Sequence, residues 1–309
     1  MRCTVLIPSY RRPEALLQCL KAVLTGKRIP DQVVVVLRDT DEESHRLLER
    51  WLHTATHGHL VQVVDVHTRG QIAAMNRGLE AVDHEIVVFT DDDAVPRGNW
   101  LERLMSHYAD PQVGGVGGRD VVHHGDQTCD MSATRVGEVT WYGKIVGNHH
   151  CQVDGPPRDV AHLKGVNMSF RRELLRPFDP QIWGPHFNDT DQSLGVHSAG
   201  FRLIYDPRAI VDHYPQSRPD SVAGRDLADP RQAFLDAHDH CHLLMKYRPG
   251  WHMMLWLPYL TLIGSRNCPG FLLFLAQLLT RNPGASARFA AVLSGTRARL
   301  QNQPRPDTI

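Results

Sequence analysis

Between residues 3 and 120, short β-branched runs alternate with amphipathic stretches of helical period. CTVLIP, QVVVVL, LVQVVDV and EIVVFT each stop at polar residues, and apolar positions at i, i+3 and i+4 then predict helices over 13–25, 41–56, 70–82 and 98–108. VGGVGG at 113–118 closes the series as a further strand. In the first helix Pro13 sits in the first turn, where its missing N–H costs nothing, and Leu16, Leu17, Leu20, Val23 and Leu24 share one face. Such alternation implies right-handed βαβ crossovers and an α/β fold with a mainly parallel sheet covered on both faces. From 121 to 163 the pattern breaks at glycines, histidine pairs and Pro156–Pro157, which predicts a loop or hairpin insertion. Order returns at LKGVNMSFRRELL and in a strand near 201–205, and helical periodicity runs from about 230 to 300 with breaks at Pro249, Pro269 and Pro283.

With 309 residues, 42% of them hydrophobic and 22% charged, the chain builds a sizeable core, which excludes disordered and fibrous classes. Six cysteines without a C-x-x-C pair exclude a zinc ribbon or a disulfide framework and suit a reducing compartment. MRCTVLIPSY reads as a first strand and not as a signal peptide, so the catalytic part is expected in the cytoplasm. Zero net charge conceals an asymmetry: residues 246–309 carry eight Lys or Arg against Asp307 alone. The same tail holds the apolar segments 251–264 and 269–279, too short to span a bilayer, whose basic flanks suit the headgroup interface. Packing as buried helices is the alternative.

The sharpest chemical signal is EIVVFTDDDAVP, in which an apolar strand ends in Asp91, Asp92 and Asp93. Three acids at the carboxyl end of a strand repel one another unless a cation balances them, and ligands of open α/β sheets bind at such ends. Alternate residues of an extended segment face the same way, so Asp91 and Asp93 can share Mg2+ or Mn2+ through oxygen. A solvated acidic turn is the bland alternative.

VLIPSYRRPEALLQCLKAVL, GQIAAMNRGLEAV, EIVVFTDDDAVP, LKGVNMSFRRELL and FNDTDQSLGVHSAGFRLIYDPRAIVDH, in this order, resemble the motif succession of family 2 glycosyltransferases of GT-A fold over residues 3–214. The resemblance implies an inverting, metal-assisted transfer of a sugar from a nucleotide diphosphate donor, UDP-sugars being favoured, to a glycan, polysaccharide or lipid-linked acceptor. The catalytic domain is expected over 1–229, with a nucleotide-binding half at 1–120 and an acceptor half at 121–229, and the charge and apolar segments of the tail place a basic helical region at 230–309 against the inner face of the membrane. Asp91, Asp93 and His213 then hold the metal, and Asp92 lies against the donor. Asp189 is the candidate general base and Asp191 the second candidate, while Asn188 stands where the family usually has glutamate. Pro8, Ser9, Tyr10, Arg11, Arg38, Asp39 and Asp41 are expected at the nucleotide, with RDTD replacing the commoner DDGS. Arg69, Gln71 and Asn76 are expected along the donor pocket, and Gly165 and Asn167 beside the sugar. Two other readings stay open: a metal-dependent nucleotidyltransferase or phosphohydrolase, and a non-catalytic nucleotide-sugar-binding protein. No nucleic-acid partner is expected.

Overall fold

The structure, a computed structural model, describes residues 1–124, 127–128, 131–216 and 229–306. The strands are β1 (Cys3–Ser9), β2 (Gln32–Arg38), β3 (Val61–Val66), β4 (Ile86–Phe89), β5 (Ala94–Pro96), β6 (Val113–His124), β7 (Gln127–Thr128), β8 (Glu138–Val139), β9 (Ile145–Val146), β10 (Arg158–Val160), β11 (Met168–Arg171) and β12 (Arg202–His213). The helices are α1 (Pro13–Leu24), α2 (Glu42–Leu52), α3 (Gln71–Glu80), α4 (Trp100–Ser106), α5 (Asn188–Ser198), α6 (Pro230–Tyr247), α7 (Met253–Pro258), α8 (Phe271–Leu279) and α9 (Ala285–Leu300).

The chain divides into two compact units, the first made of 1–138, 147–178 and 192–216. Its sheet runs β10-β12-β6-β11-β4-β1-β2-β3, with β5 on β12 and β7 on β6. The expected parallel order is found in β4-β1-β2-β3, in register Val5↔Val33 and Val5↔Val88. The other half is mixed: β6 and β12 are parallel, whereas β11 runs antiparallel to both of its neighbours and β10 to β12. In β1 and β2 alternate residues serve opposite cores. Val5, Ile7, Val33 and Val35 pack with Leu16 and Leu20 of α1, while Leu6, Val34 and Val36 pack with Met75 of α3. Burial on both faces is why these strands read as unbroken apolar runs and not as alternating ones.

This arrangement aims the carboxyl ends of β1, β2 and β4 to one edge, where Ser9, Arg38 and the aspartates emerge. Beyond the strand expected near 201–205, the chain continues as one strand to His213. A bulge between Asp206 and Ile210 keeps it paired with β6. There Gly118 is pressed against the partner strand, and a Cβ on it would lie 1.9 Å from the Ala209 carbonyl oxygen.

The second unit comprises 139–146, 179–191 and 217–309, described here from 139–146, 179–191 and 229–306. Its helices α6 and α9 pack through Ala233, Ala237 and Val292, and Gly295 permits the approach, since a Cβ there would meet the Phe234 carbonyl at 2.2 Å. A second cluster joins Cys241, Leu244, Trp256, Tyr259 and Leu260 to Tyr142. No described helix is long and apolar enough to cross a membrane. The described cysteines, Cys3, Cys19, Cys151, Cys241 and Cys268, are buried, and Cys129 lies outside the described residues.

Candidate active site

In the first unit, β4 delivers Asp91–Asp93 and the far end of β12 delivers His213. One ligand atom from each of Asp91, Asp93 and His213 lies within 4.8 Å of the others. His213 Nε2 is 3.3 Å from Asp93 Oδ1, and neither atom has a hydrogen-bond partner although both are buried. On the other side of the ring, His213 Nδ1 faces Asp120 Oδ2 at 3.4 Å, and Asp120 pairs in turn with the Lys164 ammonium. A proton on Nδ1, shared with Asp120, turns the Nε2 lone pair toward the aspartates, which is how protein carboxylates orient metal-ligating imidazoles. Two carboxylates and an imidazole with two orphaned buried atoms suit Mn2+ or Mg2+.

The electrostatics are steep. Burial works against charge on His213, but Asp120, Asp93 and Asp91 outweigh it and raise the imidazole to about 9, so a metal taken up at Nε2 would displace a proton there and free the lone pair. Burial likewise opposes charge on Asp93, yet His213 and Arg12 hold it down at about 2. Asp120 is held below the usual carboxylate range against its burial by His213 and Lys164. Asp92 is fully buried, and desolvation raises it to about 6 despite Arg12.

Asp92 accepts from Ser9 Oγ at 2.6 Å and from Arg12 Nε at 3.1 Å, and a second Arg12 nitrogen closes a bidentate pair. The same guanidinium reaches Asp93 Oδ2 at 2.5 Å, leaving Oδ1 toward His213. Arg12, absent from the candidates drawn from sequence, is therefore an inner partner of the acidic strand end. Its neighbour Arg11 is exposed, at φ 52°, with its guanidinium 5.0 Å over the Tyr10 ring. In the sequence nothing separates the two arginines except Pro13, which places Arg12 at the start of α1 with its side chain turned inward.

The loops after β1 and β2 are joined: Asp41 caps α2 by accepting from Ser44 N and also accepts from Arg11 N at 2.6 Å. Asp39 lies 3.6 Å from Arg38 Nε and 2.8 Å from His67 Nδ1. Pro8 and Ser9 end β1, Gln71 opens α3 and Arg69 is exposed just before it. Asn76 pairs with the Phe178 backbone in both directions, at 3.1 and 2.7 Å. Asn167, fully buried, accepts from Trp100 Nε1 and donates to the carbonyls of Arg119 and Ala209. Gly165 lies in the turn between Lys164 and Asn167.

In the second unit, Asn188–Asp191 form the first turn of α5. Asp189 is half-buried and its Oδ1 accepts from Thr190 N at 2.6 Å. Asp191 is buried and held on all sides: Lys246 Nζ approaches its two oxygens at 2.8 and 3.1 Å and Tyr247 OH lies 2.8 Å from Oδ1. Lys246 also reaches Asp179 at 2.7 Å, beside His242 Nε2 at 3.1 Å. Burial alone would push Asp179 up, but Lys246, the Gln181 N–H and His242 hold it at about 2. An ammonium and a phenol thus engage the carboxylate of Asp191.

The profile described as "Glycosyltransferase like family 2" matches residues 2–229. A pre-mycofactocin glycosyltransferase of Mycobacterium tuberculosis is 36% identical over 151 residues, which is 48% of this chain and 30% of that protein. Succinoglycan biosynthesis protein ExoM of Rhizobium meliloti is 28% identical over 220 residues, covering 68% of this chain and 66% of that one. The chain thus spans about a third of the length of the first relative and just under two thirds of the second. In structure it resembles the mannosyltransferase PcManGT of Pyrobaculum calidifontis, solved in complex with GDP-Man and Mn2+, with a TM-score of 0.60 at 19% identity over 98% of this chain and 88% of the other. That likeness shows the fold, and the match over 2–229 decides the family: this chain belongs to glycosyltransferase family 2 and has a GT-A fold.

Proposed function

We propose that the protein transfers a sugar from a nucleotide diphosphate sugar to a glycan or lipid-linked acceptor, with inversion at the anomeric carbon. The observation that carries this reading is the convergence of Asp91, Asp93 and His213 at the carboxyl edge of the sheet. Mn2+ or Mg2+ bound by these three would neutralise charge on the leaving diphosphate. Arg12 keeps Asp92 and one oxygen of Asp93 in place, and Asp120 keeps the His213 ring turned. Asp189 takes the proton from the acceptor hydroxyl as that oxygen attacks, so a single displacement inverts the centre. The relative named for succinoglycan biosynthesis supports a polysaccharide acceptor, and the basic, apolar tail is our reason for placing the enzyme at the inner face of the membrane. A UDP-sugar is our first choice of donor.

The test is a thermal-shift panel of UDP, GDP, UDP-sugars and GDP-mannose, each with and without Mn2+, on wild type and Asp93→Ala. We expect one nucleotide to stabilise wild type only with Mn2+ and not to stabilise Asp93→Ala. Asp189→Asn should keep that stabilisation and lose about 10²-fold or more in turnover. A donor that stabilises Asp93→Ala as well as wild type would overturn the site.

A further inference from the structure

Helix α8, FLLFLAQLL, has no buried residue. Nine residues with one polar side chain among them would ordinarily lie in a core. Instead Phe271, Leu272, Leu275, Leu278 and Leu279 are all exposed, Leu279 at 86%. The patch continues backward through the chain. Gly264 and Pro269 pair as an isolated bridge and Gly270 N donates to Ile263 O, which sets exposed Leu262 and Ile263 beside the start of α8. An arginine stands at each end: Arg266, exposed, in the turn closed by that bridge, and Arg281, exposed, donating its N–H to Leu278 O just past the helix.

We propose that this ridge is a docking surface for the headgroup layer of an anionic bilayer, the apolar side chains entering the acyl boundary and Arg266 and Arg281 meeting lipid phosphates. Charge complementarity selects this occupant. From Lys246 onward the sequence has eight Lys or Arg against Asp307, and at the ridge itself the exposed Arg266 and Arg281 flank the apolar side chains, the combination that partitions into anionic interfaces. The helix is too short to span, so it lies in the plane of the interface. This deepens the membrane placement proposed above and rests on it.

The full chain, without nucleotide or metal, is co-sedimented with vesicles of phosphatidylcholine alone and of phosphatidylcholine with phosphatidylglycerol. Binding to the mixed vesicles should exceed that to the neutral ones. Leu272→Glu/Leu279→Glu, at exposed positions that leave the core untouched, should lower the partition coefficient about tenfold or more. Arg266→Ser and Arg281→Asn should each reduce it about fivefold on mixed vesicles and leave neutral vesicles unaffected. Asparagine is chosen at 281 because φ there is 53°. Unchanged binding by the Leu variant overturns the proposal. So does a wild type that ignores vesicles and sediments as a dimer that the Leu variant splits, because the ridge would then pair with a second copy. Since no donor is present, failure here leaves the sugar-transfer reading standing, and failure of the nucleotide panel leaves the ridge standing.

Discussion

Replacing Arg12 by methionine would keep most of the side-chain volume and remove a guanidinium whose side chain is 5% exposed. Three of its contacts would go: the bidentate pair with Asp92, itself fully buried, and the 2.5 Å pair with Asp93. Surface ion pairs contribute little, but breaking a buried pair strands a charge that water cannot reach, at a cost of about 3–5 kcal/mol. For a unit of this size each kcal/mol lowers the melting temperature by about 2–4 °C, so a fall of about 6–20 °C is expected. Urea unfolding at pH 7, followed by tryptophan fluorescence without divalent cation, gives the free energy directly. The double variant Arg12→Met/Asp92→Asn should recover at least half of the loss, since the asparagine can still accept from Ser9 and carries no charge. A single variant within about 1 kcal/mol of wild type would refute the reasoning, and so would a double variant no more stable than Arg12→Met.

Three further expectations follow from the same geometry. Asp120→Asn should weaken Mn2+ binding, measured by electron paramagnetic resonance in the presence of the stabilising nucleotide, by about 10- to 100-fold, because His213 loses the partner that orients it; an affinity within twofold of wild type would remove Asp120 from that role. Gly118→Ala should cost about 2–4 kcal/mol, since a Cβ 1.9 Å from the Ala209 carbonyl forces β6 and β12 apart, and unchanged thermal unfolding would contradict the close approach. Burial, with cationic Lys164 nearby, holds His149 well below its ordinary value, so the unfolded chain takes up this proton first as pH falls; the stability that wild type holds over His149→Gln should shrink by about 0.8 kcal/mol between pH 7.5 and 6, and a constant difference would refute the assignment.

The parallel half of the sheet was legible because its strands are buried on both faces and their helices keep period 3.6. The mixed half was not. Four residues of β11 and the bulged β12 carry no local sign of direction, and their pairing is set by partners more than 40 positions away. Asp91, Asp93 and His213 could be singled out because strand-end acids and a motif histidine are visible in one dimension. Arg12 and Asp120 could not, since their partners lie about 80 and 93 positions off and each reads alone as an ordinary charge. The apolar tail segments were evident from composition, but only the structure separates Trp256, Tyr259 and Leu260, which pack inward, from α8, which does not.

The hold of Lys246 and Tyr247 on Asp191 bears on how the chain can be shortened. These two residues are the last of α6, immediately before the apolar tail begins, so a cut chosen by hydropathy alone would fall next to them or through them. A version ending at Met245 would discard the ridge and release the first turn of α5 together, and its lost turnover would say nothing about lipid. Because α6 also rests on α9, the cleaner separation of the two roles is by point substitution on α8 in the intact chain. Practically, the basic tail is two neighbouring devices in one stretch of sequence: a fastener for the acidic turn and, beyond it, a surface that can be altered on its own.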